Sequence, residues 1–355
     1  MAPPTMKAAI CKELGKPLII EQIPTPTPNA RDLLVRVKVA TVCHSDTALI
    51  DTGLGMATFP LIPGHEAISV VEDLGPDAAA HGFKKGDLVG APAWHNICFS
   101  CRECVEIGPS FCTRKLVKGV SCEGYFAEYT LVDAATAVVV PGGAGVEDAA
   151  RLSPLFCAGV TVWDALRRAQ LQPGEALGVV GIGGLGEIAV RYAQALGVRV
   201  FGLDVSERQL QGVVEKGVVD GVVNVRGLAP LEVRGKVAEL NGGRPLDVVV
   251  VTVGAVPAYQ SALAMVRPEG RVIAVGIPEQ DVPVSMALVA TQALKVIGGR
   301  VPDQVDCARC VDFSFRKGIF PRVNPRQFQL EDINEMLDLM RAGKVEDGRM
   351  AIRFF

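Results

Sequence analysis

The segment Val179-Val-Gly-Ile-Gly-Gly-Leu-Gly-Glu-Ile-Ala-Val190 carries Gly181, Gly183 and Gly186 in a G-x-G-x-x-G spacing. An apolar run at 176–180 leads into it. A helical pattern leads out, with Ile188, Tyr192, Ala195 and Leu196 expected on its apolar face. Strand, tight turn and helix in that order are what the spacing needs in order to mean more than a glycine-rich loop. Further apolar runs follow at 198–203, 222–225, 246–253, 271–275 and 295–298, alternating with helical stretches. Leu246-Asp-Val-Val-Val-Val-Thr-Val-Gly254 is typical of them: Val-rich and closed by glycine, like a strand buried on both faces. Six such runs predict a doubly wound parallel sheet.

Asp204 ends the next strand, 21 residues after Gly183. The first glycine permits the turn, the second lets backbone approach a pyrophosphate, and the third lets helix pack on strand. The helix N-terminus offers free N–H groups and the positive end of its dipole. Gly181, Gly183, Gly184, Leu185, Gly186 and Asp204 are therefore the expected dinucleotide contacts. A carboxylate at 204 accepts bonds from ribose hydroxyls and repels a 2′-phosphate, so NAD is expected over NADP.

Outside this region the pattern differs. Arg31–Ala40, Ala67–Gly75 and Gly124–Val132 read as strands punctuated by Pro, Gly and Asp, which predicts a mainly β domain. Pro24-Thr-Pro-Thr-Pro28 reads as an extended linker. A helix is expected at Val160–Gln170, an amphipathic helix at Leu330–Arg341 and a terminal strand at Arg349–Phe355.

The chain has 355 residues, 49% of them apolar, and a net charge of −3. Its mean hydropathy is +0.30 and its pI about 5.9. No apolar run approaches the roughly 18 residues of a spanning helix. The acidic balance gives no support for a nucleic-acid or anionic-membrane partner. With no signal-peptide pattern at the start and no lipidation or retention signal at the end, a cytoplasmic protein is expected.

Ten cysteines then call for metal or catalysis rather than disulfides. Cys98-x2-Cys101-x2-Cys104-x7-Cys112 places four thiols within 15 residues, enough to close a tetrahedral Zn²⁺ shell. With no open position such a site is structural. A disulfide pair or an iron–sulfur cluster could use the same residues. A nucleic-acid-gripping zinc ribbon is disfavoured by charge, since residues 95–118 hold only four Lys/Arg against two Glu.

Three further motifs lie far apart: Cys43-His-Ser-Asp46, Gly64-His-Glu66 and Leu155-Phe-Cys-Ala-Gly-Val-Thr-Val162. With the four-cysteine loop and the glycine motif, they resemble the zinc-dependent alcohol dehydrogenases of the medium-chain dehydrogenase/reductase family, most closely the yeast type. The resemblance spans essentially the whole chain. It implies an α/β architecture: a mainly β GroES-like catalytic zinc-binding domain from residues 1–157 and 299–355, and a Rossmann doubly wound parallel-sheet domain at 158–298. It implies NAD, two Zn²⁺ per chain (one catalytic, one structural) and a homodimer or homotetramer acting on a small alcohol, aldehyde or ketone.

Residue by residue, Cys43, His65 and Cys157 match the catalytic zinc ligands, and Glu66 matches a carboxylate able to move into the fourth position. Asp46 matches the partner that orients the ligating histidine. Ser45 matches the hydroxyl that takes the substrate proton. His44 and the Arg349 of Asp347-Gly-Arg349 match contacts to the pyrophosphate, and Trp94 matches a wall of the substrate pocket. Departures stand beside these. Ala48 occupies the place where yeast-type enzymes continue the proton relay with a histidine, leaving Asp51 as a candidate substitute. Leu54 stands near where relatives carry a bulky tryptophan, which implies a roomier pocket for medium-chain or aryl primary or secondary alcohols. Arg208 is one residue out of register with the family's basic residue. Alternatives are a polyol dehydrogenase, an NADPH-preferring aldehyde reductase, or a non-catalytic NAD-binding redox sensor. His81 and His95 receive no role, Cys307-x2-Cys310 reads as a helix coincidence, and Cys11 and Cys122 read as ordinary thiols.

Overall fold

A computed structural model describes residues 1–141, 146–345 and 348–355. It divides into two compact units. One comprises Met1–Val160, Val301–Arg316 and Phe320–Phe355; the other comprises Thr161–Arg300 and Lys317–Ile319.

In the first unit the ten-residue strand Asp32–Thr41 is the organiser. One edge pairs antiparallel with Ala67–Leu74. The other edge is shared, Tyr129–Asp133 taking its first half and Ala351–Arg353 its last residues. The alternating sequence of Asp32–Thr41 explains why it can be central, with apolar side chains packed on the sheet and Arg36 and Lys38 outside them. Leu88–Gly90 and Val138–Val139 extend the sheet beyond Ala67–Leu74. The core joins Leu33, Val35 and Phe126 to Met336 and Leu337 of the helix Ile333–Arg341 and to Ile352, so both ends of the chain stabilise one hydrophobic cluster.

Two expectations need correction here. Gly124–Val132 is not one continuous strand: the regular ladder starts at Tyr129. Residues 124–128 instead split their hydrogen bonds, Gly124, Tyr125 and Phe126 donating to Ile62, Gly64 and Pro63, and Glu128 donating to Lys7. The amphipathic helix opens as a tight 3₁₀ turn at Leu330–Asp332 before becoming α-helical at Ile333.

The second unit is a six-stranded sheet in the order Gly221–Asn224, Arg199–Asp204, Ala176–Val180, Leu246–Val251, Val266–Ala274 and Lys295–Gly298. All five pairings are parallel. Strand order reverses beside Ala176–Val180, and the glycine motif leaves the carboxyl end of that strand, where open α/β sheets bind ligands. The helix Gly184–Ala195 follows it. Its buried face is Ile188, Ala189, Tyr192 and Ala193; Leu196, expected on that face, caps the helix and is exposed. The strand expected at 271–275 starts earlier, at Val266, because Leu246 pairs with Val266 before a register shift. Among the described residues, no helix is long and apolar enough to cross a membrane.

Candidate active site

Cys43 ends the stretch after the central strand and caps the helix His44–Thr52. Its backbone N–H donates to Asp46 Oδ2 at 2.8 Å. The other oxygen of Asp46 lies 2.9 Å from His65 Nδ1. One buried carboxylate therefore fixes a cysteine backbone and an imidazole together. A proton held on Nδ1 by that carboxylate leaves the Nε2 lone pair free to bind a cation.

The loop that carries His65 is held by backbone packing. Gly64 has φ +95°, and a side chain there would strike the Phe126 ring at 2.7 Å. Gly119 and Gly124 lie against the Gly64 and Pro63 backbone, each too close for a Cβ. These two glycines position the site, yet no motif spacing marks them.

Glu66 is fully buried. Its Oε2 accepts from Thr41 Oγ1 at 2.7 Å and its Oε1 accepts from Arg349 at 2.9 Å. Burial pushes its carboxyl up to about 8, against the opposing pull of Arg349. Cys157 follows the short helix Ser153–Phe156. The hydrogen bond from Cys157 holds the Cys43 thiol well below the ordinary thiol range, and the same contact pushes Cys157 up. The ligand atoms of Cys43, His65, Glu66 and Cys157 all lie within 4.8 Å of one another. Two thiols and a carboxylate in a dry pocket cannot all ionise beside one arginine. A divalent cation removes that conflict, so the donor set fits a metal and matches the N/S preference of zinc.

The second cluster is Cys98, Cys101, Cys104 and Cys112, again with sulfurs within 4.8 Å. Cys98 Sγ lies 3.9 Å from Cys104 Sγ and 3.5 Å from Cys112 Sγ. A zinc tetrahedron with Zn–S of about 2.3 Å has edges of about 3.8 Å, whereas a disulfide would bring sulfurs to about 2.05 Å. No disulfide joins Cys98, Cys101, Cys104 or Cys112. Backbone N–H groups of Cys101 and Arg114 point at Cys98 Sγ and Cys112 Sγ, which favours thiolate. The N–H groups of Ser100 and Cys101 push Cys98 down to about 5.

In the other unit, Gly181 has φ +91° and Gly186 sits so close to the Gly181 carbonyl that no side chain fits. Thr252 Oγ1 donates to the Gly181 carbonyl at 2.6 Å and ties this turn to the end of the neighbouring strand Leu246–Val251. Gly183 and Gly184 instead face open space, a cradle that side chains would fill. With Leu185 they begin the helix, where backbone N–H groups lack helical acceptors. Asp204 accepts from Ile182 N at 2.6 Å and from Ser206 N at 2.8 Å. Its carboxylate thus braces the glycine turn, and each oxygen keeps a lone pair for a ribose hydroxyl.

The remaining expected residues scatter. His44 and Ser45 are exposed on the first helical turn, Ser45 Oγ 3.9 Å from Cys43 Sγ. Leu54 is also exposed. Trp94 packs beside the four-cysteine loop with Ile97, and its Nε1 donates to the Pro302 carbonyl at 2.9 Å. Arg349 reaches Glu66 and Cys43 Sγ, the latter at 3.5 Å. Asp347 lies outside the described residues. Asp51 is held by Arg341 through both carboxylate oxygens.

One unit that carries a candidate metal cluster on a β-sheet, and a second unit of Rossmann type, define a zinc-binding dehydrogenase architecture. Residues 29–142 match the family described as the alcohol dehydrogenase GroES-like domain, and residues 184–316 match the zinc-binding dehydrogenase family. An alcohol dehydrogenase of Geobacillus stearothermophilus is 33% identical over 98% of this chain and 99% of its own length. One from Moraxella sp. (strain TAE123) is 31% identical over 98% and 99%. The crystal structure of the Aeropyrum pernix alcohol dehydrogenase superposes with a TM-score of 0.88 at 27% identity, covering 98% of this chain and 100% of that one. The chain belongs to the zinc-type alcohol dehydrogenases of the medium-chain dehydrogenase/reductase family.

Proposed function

We propose that this chain interconverts a medium-chain or aryl primary or secondary alcohol and its aldehyde or ketone, using NAD(H). In this reading residues 1–157 and 299–355 form the catalytic domain and 158–298 bind the cofactor. The observation that carries it is the convergence of Cys43, His65, Glu66 and Cys157 within 4.8 Å, in a chain that also has an open glycine cradle. Zinc bound by these donors supplies a Lewis acid that makes an alcohol hydroxyl acidic, and the nicotinamide supplies the hydride acceptor.

The protein's own contributions follow from placement. Cys43, His65 and Cys157 hold the metal, and Asp46 sets the imidazole tautomer. Ser45, exposed on the first helical turn, takes the substrate proton. Ala48 cannot carry it further, and Asp51 is occupied by Arg341, so the proton passes from Ser45 to water. Gly183 and Gly184 give the pyrophosphate access to helix N–H groups, with His44 and Arg349 as candidate partners. Leu54 and Trp94 are the candidate pocket walls. The four-cysteine loop holds a second, structural zinc.

The assembly proposed is a homodimer or homotetramer. Lys295–Gly298 is an edge strand with Val296 exposed, a surface that a second copy could extend. Zinc content and a panel of alcohols and carbonyls with NAD(H) and NADP(H) test the whole reading. Two zinc atoms per chain and alcohol-dependent NADH formation are expected; one zinc or none would sink the catalytic part.

A further inference from the structure

Thr41 and Ser153 are fully buried hydroxyls without a place in the motifs above. Thr41 Oγ1 lies 2.7 Å from Glu66 Oε2 and 2.9 Å from Ser153 Oγ. Thr41 Oγ1 donates to Glu66 Oε2, which leaves it to accept from Ser153 Oγ. That order uses each hydroxyl proton once, and successive bonds of one sense reinforce each other.

The placement of the chain matters as much as its polarity. Thr41 stands two residues before Cys43. Glu66 follows His65. Ser153 begins the short helix Ser153–Phe156 that leads into Cys157. Two hydroxyls and one carboxylate thus cross-link the three segments that carry the candidate metal ligands. Glu66 is also held from its other side, where Oε1 accepts from Arg349 at 2.9 Å. Its backbone carbonyl accepts from Thr41 N at 3.1 Å.

We propose that Thr41, supported by Ser153, is a positioning residue that restrains Glu66, whose carboxylate lies within 4.8 Å of the other donor atoms, from closing onto the metal, leaving the fourth position to the alcohol. The inference rests on reading Cys43, His65 and Cys157 as metal ligands. Moving Glu66 onto the metal would leave the buried Thr41–Ser153 hydroxyl pair one acceptor short. Without the hydroxyl that restraint disappears, and Glu66 competes with substrate.

The test uses cobalt-substituted full-length enzyme, with Thr41→Val, Thr41→Ser, Ser153→Ala and the double variant Thr41→Val/Glu66→Gln. The four-cysteine site contributes equally to parent and variant, so the difference in visible absorption reports the catalytic metal. Thr41→Val is expected to shift the cobalt bands of the substrate-free enzyme. It should also raise KM for alcohol about fivefold or more, with a smaller change in kcat, as freeing one buried hydrogen bond allows. Ser153→Ala should do the same more weakly. Thr41→Ser should restore parental bands and KM, and Glu66→Gln should erase the shift caused by Thr41→Val. Cobalt bound with an unchanged spectrum in Thr41→Val overturns the clamp alone. No cobalt at the catalytic site of the parent overturns the metal reading and the clamp with it.

Discussion

Asp46 Oδ1 lies 2.9 Å from His65 Nδ1, and both side chains are buried. The same carboxylate accepts from the Cys43 backbone at 2.8 Å, so it orders two ligand-bearing segments that are far apart in sequence. Outer partners of this kind are worth about 10–100-fold in metal affinity. Asp46→Ala should weaken zinc at the catalytic cluster by that order and leave the four-cysteine zinc in place. Zinc loss to a graded chelator measures it; parental affinity would show that His65 needs no orienting partner.

Cys43 and Cys112 belong to different clusters, and their removal should have different signatures. Cys43→Ala should lose one zinc and turnover while NADH binding, followed by fluorescence, persists. Cys112→Ser should lose one zinc and lower thermal stability, because the loop around Cys98 has only a small apolar cluster besides its sulfurs. If both variants retained two zinc atoms per chain, the ligand roles assigned to Cys43 and Cys112 would be wrong.

Gly183 and Gly186 differ by three positions and by opposite surroundings. A methyl at 183 meets open space, while a methyl at 186 meets the Gly181 carbonyl. Gly183→Ala should therefore keep the parental melting temperature and lose NAD affinity. Gly186→Ala should lower the melting temperature as well, since helix and turn must separate. Equal melting temperatures for the two variants would contradict the packing assigned to the third glycine.

The difference between what could be read in advance and what could not follows from the range of the signals. Cysteine and histidine donors reveal themselves by type and spacing, and period-two strands and the glycine turn are local patterns. Thr41, Ser153 and the Arg349–Glu66 pair carry no such spacing. Thr41 meets Ser153 across 112 positions and Arg349 meets Glu66 across 283. Gly119 and Gly124 are visible as glycines, but only folding shows that both press on the Pro63–Gly64 backbone. Asp51, the candidate proton carrier, is instead occupied by Arg341 from 290 positions away.

Asp204 has two duties that mutation can separate. It braces Ile182 and Ser206, and it faces the place proposed for the adenosine ribose. Asp204→Ala should raise KM for NAD more than KM for NADP, because removing a carboxylate also removes repulsion toward a 2′-phosphate. An equal rise for both cofactors would leave it only the bracing role.

Lys118 tests the interior of the first unit. Its ammonium donates to Thr130 Oγ1 and the Leu131 carbonyl, each at 2.8 Å, and faces the Tyr125 ring at 5.2 Å. Burial pushes it down to about 8 from 10.5. The folded protein therefore releases this proton near pH 8, while the unfolded chain keeps it until near pH 10.5. Between those values the unfolded state binds more protons, so stability should rise with pH. Relative to Lys118→Met, the parent should gain on the order of 2–3 kcal/mol between pH 7.5 and 10.5. Urea midpoints across that range measure the difference. A difference that stays flat with pH would mean the folded interior holds the lysine charged as readily as water does.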